Sequence, residues 1–408
     1  MDLLQPLIGL ALYCAIALAL SSNRRGIRPL FVAAALGLQV VLAVVLLHVP
    51  VVSDALLALN GGVKVLQEAT DSAAIFMFGY LAGGEQPFAE VGNSFIIAFR
   101  VLPLILVVSA LSAVLFHWRV LPVIIRGMAW ALRRGLGLSG PVAFAAASSV
   151  FFGIIESPLL IRPFLARMDR GELLALMSCG MATVAGTVMV LYASVVEPVL
   201  PGALAHILVA SVISVPAALM YAHMMIPTGA SDDEEAVEVG SQDHDTLGAL
   251  MRGTREGTTM VIDIAATIVV LFALVHLSNR ALGLLPGDPT LQGLVGLGFR
   301  PLVWGMGIPS EDVVWCADLM GTKTVLNEFV AYMTLAQAGG GPIAEPSRRI
   351  LIYAMCGFAN LGSLGILVGG LGSLMPDRRS ELAGLGLRAI VAGTLATCTT
   401  GALAALLT

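Results

Sequence analysis

Residues 321–332 read Gly321-Thr322-Lys323-Thr324-Val325-Leu326-Asn327-Glu328-Phe329-Val330-Ala331-Tyr332. A lysine, an asparagine and a glutamate thus sit inside a chain that is 58% hydrophobic and only 12% charged. On insertion scales an acidic or basic residue at mid-membrane costs about 2.5–3.5 kcal/mol, so it normally faces a cavity or a partner and marks a substrate or ion path. The stretch reads as half of a transport site in an all-α polytopic membrane protein.

The rest of the chain supports that class. A soluble domain is about 25% charged, and mean hydropathy here is +0.92. Uncharged runs at 3–23, 29–53, 101–118, 135–155, 173–196, 198–231, 350–376 and 389–408 approach or exceed the roughly 17–25 residues of a spanning helix. Several are apolar on every face, which excludes a soluble helical core with one wet side. Residues 3–20 form a first membrane helix rather than a cleavable signal, because Met1-Asp2 supplies no basic n-region. The five cysteines (Cys14, Cys179, Cys316, Cys356, Cys398) form no CxxC pair, against zinc and a disulfide framework. A net charge of −5 with no basic stripe argues against a nucleic-acid partner. No GxxxxGK[ST] motif points to ATP. No HExxH occurs, and His48, His117, His206, His223, His244 and His276 are dispersed, so enzymatic chemistry is disfavoured.

Charge and glycine/proline positions organise the runs. Arg24, Arg25 and Arg28 after the first helix place that loop in the cytoplasm and the N-terminus outside. A second helix is expected at about 30–48, short interfacial or amphipathic helices within 51–93, and a third helix at 94–116. Arg119, Arg126, Arg133 and Arg134 follow as topology signals. Residues 139–167 are broken by Gly153, Glu156 and Pro158, which suits a re-entrant hairpin with a shielded tip. Helices at 172–196 and 202–226, a solvated acidic loop at Ser231–Glu235, a helix at 257–278 bearing Asp263, a second broken segment at 301–337, and helices at 349–371 and 383–407 complete the chain. Hairpin, helix, helix therefore occurs twice. Two broken hydrophobic segments in corresponding halves point to an inverted-repeat transporter with its site at the repeat interface. The expected divisions are 1–134 as N-terminal scaffold and interfacial helices, 135–226 as a first transport repeat and 227–256 as an acidic polar loop. Residues 257–300 follow as scaffold helix and loop, and 301–408 as a second transport repeat.

Three stretches carry specific text: Gly153 to Pro163 with Gly180 to Gly186, the 321–332 segment, and Cys356-Gly357-Phe358-Ala359-Asn360-Leu361-Gly362-Ser363-Leu364-Gly365-Ile366 running into Gly369–Gly372. In order and spacing they resemble the concentrative nucleoside transporter family over about residues 90–408, and the first 90 residues fit in hydropathy. The resemblance implies eight membrane helices, two opposed re-entrant hairpins and a homotrimer. In it an elevator-type transport domain slides against a scaffold in a bacterial inner membrane. It also implies import of nucleosides in symport with sodium or protons, with no other cofactor.

A ribose presents vicinal hydroxyl donors, for which a carboxylate is a charge-assisted acceptor; Glu328 supplies one. Asn327 and Lys323 share a face if their segment is helical. Lys323 either compensates Glu328 or Glu156 or touches ligand, and the sequence leaves both open. Asn360 and Ser363 can share a helix face, with Gly357, Gly362 and Gly365 letting the helix unwind. The plain alternative is interhelical packing, while the resemblance makes both sugar contacts, with Phe358 against base or sugar. At the first hairpin tip the family reads Gly-Gln-Thr/Ser-Glu. Here Gly153 and Glu156 remain, but Ile154 and Ile155 replace the pair that meets the base. At the family's sodium site this chain carries Ser149 in place of an asparagine, with Phe152, Thr183 and Val184. Two further readings stay open: a diverged carrier of another polar solute, and a non-transporting nucleoside-recognition module.

Overall fold

The computed structural model describes residues 4–87, 95–229 and 243–407, which are helical with no strand. Six segments are long and apolar enough to cross a bilayer: Pro29–His48, Ile97–His117, Arg170–Val196, Ala203–Met225, Thr246–Leu282 and Pro376–Leu407. Leu4–Ala19 and Leu361–Leu374 are shorter apolar helices among the described residues. The acidic run Ser231–Glu235 lies outside the described residues.

Two copies of one arrangement form the centre. In the first, helix Gly140–Ser148 turns back through Glu156–Leu159 and Arg162–Leu165, followed by Arg170–Ala182, Gly186–Val196 and Ala203–Met225. In the second, Ser310–Val325 turns into Glu328–Gln337, followed by Glu345–Met355, Leu361–Leu374 and Arg379–Leu407. Local sequence sets the starts. Asp169 and Glu172 form a reciprocal capping box. Asn327 and Asn360 each cap the next helix, accepting from Val330 N at 2.9 Å and Ser363 N at 2.7 Å. Pro309 and Pro141 sit at helix entries, where a missing N–H costs nothing.

Several expectations need correction. The segments 172–196 and 349–371 are not continuous helices: each is interrupted, at 183–185 and at 356–360. Thr183-Val184-Ala185 contains neither glycine nor proline, so tertiary partners must stabilise the break. Val184 N donates to Ser211 Oγ at 3.2 Å, and Gly186 N donates to the Phe151 carbonyl at 3.1 Å. The two breaks meet at Gly357, where a Cβ would stand 2.9 Å from the Met181 carbonyl oxygen and from Thr397 Cγ2. Residues 50–78 form one helix, Pro50–Phe78, rather than several short ones. Its Gly61-Gly62 pair has open space beside it and imposes no turn. The segment 301–337 turns at both 305–309 and 326–327, and a separate helix, Leu291–Trp304, packs on Ser310–Val325. Gly296 and Gly321 allow that close approach. Lys323 therefore ends one helix while Asn327 caps the next, and they share no helical face.

Thr246–Leu282 runs along Ile97–His117, with Gly253 and Gly257 against Ser109 and Ile105. Leu4–Ala19 and Pro29–His48 pack instead on Ala203–Met225 and Arg379–Leu407. There Gln39 Nε2 donates to Thr400 Oγ1 at 3.2 Å, and Ser214 meets the same hydroxyl at 2.8 Å.

Candidate substrate site

Glu328 is 3% exposed and its carboxylate is held from two sides. Tyr192 Oη donates to Oε1 at 2.5 Å, and Asn360 Nδ2 donates to Oε2 at 2.7 Å. Asn360 thus uses both ends of its amide, its oxygen capping one helix while its nitrogen grips the carboxylate. Tyr192 stacks at 5.3 Å from the Tyr332 ring and 6.1 Å from Phe329, which fixes its hydroxyl. A carboxylate has about four lone-pair positions. Two are taken here, leaving acceptor capacity for hydroxyl donors.

These groups open into a cavity of about 390 Å³, within the range of small-molecule pockets. Gly153, Ile154, Ile155 and Glu156 line it from the first hairpin, and Asn327 and Glu328 from the second. Phe358 and Ser363 line it at the second break, whereas Asn360 reaches it through Glu328. The Glu156 carboxylate folds over Gly153, where a methyl group would strike it. Ile154 lies against Gly180 and Ile155 against Gly370, so both isoleucines fit into glycine-made hollows in neighbouring helices.

Lys323 is fully buried and does not line the cavity. Its Nζ donates to the Ala354 carbonyl at 3.0 Å and lies 3.5 Å from Thr397 Oγ1. Its ammonium meets the C-terminal end of Glu345–Met355, where unpaired carbonyls favour a cation. Of the two alternatives, this is a structural position beside the site.

At the first break Thr183 Oγ1 lies 3.0 Å from the Ser149 carbonyl and 2.9 Å from that of Cys179, while Ser149 Oγ donates to the Ala146 carbonyl at 2.8 Å. Both hydroxyl protons face carbonyls, so their oxygens keep lone pairs. The Phe152 and Val184 carbonyls accept no hydrogen bond among the described residues. A neutral, all-oxygen set of this kind fits a hard monovalent cation.

The far wall is the Thr246–Leu282 helix, which turns Glu256, Thr259, Met260, Asp263, Ile264 and Thr267 toward the cavity. Its hydrogen bond to the repeats beside the cavity is weak, Thr187 Oγ1 to Met260 Sδ at 3.7 Å. This wall and Tyr192 were absent from the sequence expectations. The wall does have a signal: polar residues recur at 256, 259, 263 and 267, one stripe at helical spacing in an apolar run. Tyr192 has none, since a lone aromatic in an uncharged run reads as packing.

Three family models match in order along the chain. They are the Na+ dependent nucleoside transporter N-terminus over residues 8–81, a gate domain described as nucleoside recognition over 98–199, and the Na+ dependent nucleoside transporter C-terminus over 206–405. A nucleoside permease, NupC, of Helicobacter pylori is 31% identical over 95% of this chain and 94% of its own. The chain belongs to the concentrative nucleoside transporter family. Another relative, an uncharacterized transporter of Haemophilus influenzae, is 34% identical over 100% of this chain and 98% of its own. A solved structure of CNTnw, in an inward-facing substrate-bound state, superposes with a TM-score of 0.90 at 34% identity, covering 100% of this chain and 99% of that one. Concentrative nucleoside transporters of this fold work by an elevator-type mechanism, and this member is a transporter rather than an enzyme.

Proposed function

We propose that the chain imports nucleosides across a bacterial inner membrane in symport with sodium, as a homotrimer. The observation that carries this is the Glu328 carboxylate, fixed by Tyr192 and Asn360 with its remaining acceptor capacity at a cavity bounded by both hairpins. The ribose hydroxyls donate to Glu328, with Asn360, Ser363 and Asn327 beside them, while the base extends toward Phe358, Ile154, Ile155 and Glu156. Sodium would be held by Ser149, Phe152, Thr183 and Val184, and protons through Glu156 are the alternative coupling ion. The Na+ dependent family models support sodium.

The moving unit contains both repeats together with Leu4–Ala19 and Pro29–His48, which pack on them and so leave the scaffold expected over 1–134; Ile97–His117 and Thr246–Leu282 form the stationary wall. The N-terminus lies outside. In support, Arg28 and the 137–139 segment that follows Arg133 and Arg134 line one small cleft, putting both arginine-rich segments on one face.

The test is uptake and counterflow in proteoliposomes with nucleosides, free bases and sugars, under separate sodium and proton gradients. Accumulation of a nucleoside driven by inward sodium is the expected result. Accumulation of other polar solutes but no nucleoside would favour the second reading, a diverged carrier, for which the apolar Ile154 and Ile155 speak.

A further inference from the structure

We infer that Asp263 is a specificity-determining residue of the substrate site, selecting nucleosides whose base presents an exocyclic amino group. The inference rests on the nucleoside reading above and concerns the part of the cavity that reading leaves unassigned. With the sugar at Glu328, the base lies between the first hairpin tip and the Thr246–Leu282 wall. Besides Glu156, whose carboxylate folds back over Gly153, the tip offers two isoleucines, which can desolvate a base edge but cannot pair with it. Further polar contacts must come from elsewhere.

The wall supplies them, and they are acceptors. Asp263 lines the cavity and has no hydrogen bond or ion pair among the described residues. Glu256 on the same face is already paired, with Arg252 Nη1 at 2.8 Å from its Oε1. The Thr259 hydroxyl donates back to the Arg255 carbonyl at 3.2 Å, so its oxygen too faces outward as an acceptor. No lysine, arginine or histidine lines the cavity among the described residues. An unpaired carboxylate in a membrane-crossing helix is costly and normally serves a ligand or ion path. Carboxylates accept from the cytosine amino group in other recognition settings for the same chemical reason.

Two matched pairs isolate this chemistry. Cytidine differs from uridine, and adenosine from inosine, in an amino group replacing a carbonyl oxygen on the base. The oxo bases present that oxygen to Asp263, acceptor against acceptor, with their ring N–H flanked by it. A hydrogen bond to a charged group is worth enough to separate the members of each pair by about ten-fold or more in KM.

The experiment is competition uptake in proteoliposomes with these four nucleosides, for wild type, Asp263→Leu and Asp263→Asn. Wild type should prefer cytidine over uridine and adenosine over inosine by about ten-fold in KM. Asp263→Leu should remove the preference by weakening the amino members, with maximal rates similar across the four. Asp263→Asn, which can donate as well as accept, should narrow the gap from both sides, and it provides a second reading if the leucine variant fails to reach the membrane. Equal KM values for the paired nucleosides in wild type, or a ratio unchanged in both variants, would overturn the assignment of Asp263 while leaving nucleoside transport standing. A uniform loss of rate with unchanged ratios would overturn it in favour of a coupling role. Failure of all four to compete would end both readings.

Discussion

At the scale of single residues, the site is organised around one carboxylate that is buried, ionisable and doubly restrained. Glu328→Gln keeps the size of the side chain but gives up the charge, and hydrogen bonds to charged groups contribute roughly 1.5–3 kcal/mol against about 1 for neutral ones. Nucleoside KM should rise by about ten-fold or more, and the protein should melt somewhat earlier in detergent, because the bonds from Tyr192 and Asn360 lose their charge assistance as well. Thermal unfolding in detergent and uptake by equally expressed proteins measure the two halves; wild-type uptake by the variant would remove Glu328 from the sugar site. A second residue-scale expectation concerns the first hairpin tip. Ile154→Gln with Ile155→Thr places a donor and acceptors where none exist, so discrimination among bases should sharpen while the need for ribose hydroxyls stays unchanged. The same panel in 3′-deoxy form reports the latter, and an unaltered base profile would show that the tip does not face the base. Glu328 stood out in the sequence because an ionisable group in an apolar run must be partnered, whereas Asn360 stood out only through the family resemblance. Tyr192 did not, because its role depends on a partner 136 residues away.

At the scale of elements, glycine and proline marked the first hairpin, and asparagine caps explain the starts that follow each turn of the second repeat. The helix breaks escaped for a physical reason. Thr183-Val184-Ala185 has no intrinsic tendency to interrupt a helix, and only Ser211 and the Phe151 carbonyl, far apart in sequence, make the interruption stable. Hydropathy sees a single apolar run there. Gly357 locks the two breaks together, with a φ of 158° and backbone of the other break at contact distance. Gly357→Ala forces a methyl group against the Met181 carbonyl, and overpacking of this kind costs about 1–3 kcal/mol. A lowered melting temperature is expected, with a larger drop than for Gly365→Ala, whose added methyl meets open space. Equal melting of the two variants would mean that the breaks do not support one another.

At the scale of the whole molecule, composition alone pointed to an all-helical membrane protein, and repetition of a hairpin motif pointed to two halves. What neither could establish was which helices travel together, since that depends on packing between segments hundreds of residues apart, such as Gln39 on Thr400. Coupling, as proposed above, also belongs to this scale, because it would link an ion near Thr183 to a solute near Glu328. Replacing the short serine oxygen with an amide, Ser149→Asn, would extend an oxygen toward the proposed cation position. Half-maximal activation of uptake by sodium at fixed pH should then fall to lower concentration. If acidification alone drives uptake in both proteins, and sodium affects neither, the ion at this position is not sodium.

The thioether contact between Met260 and Thr187 has a mechanical meaning. Tyr192 from one repeat holds the Glu328 carboxylate of the other, which Asn360 of that same repeat keeps in place, so tilting either repeat against its twin would tear the Tyr192 bond inside a membrane. Across the cavity the repeats meet the wall through a long, easily broken bond to soft sulfur, while the firmer bonds of the wall helix run from Asn279 to the Leu291–Trp304 helix. The protein is strong across its symmetry and weak along a slip plane. A solute bound at Glu328 would ride on one side of that plane, and Asp263 would let go of it as the plane moves.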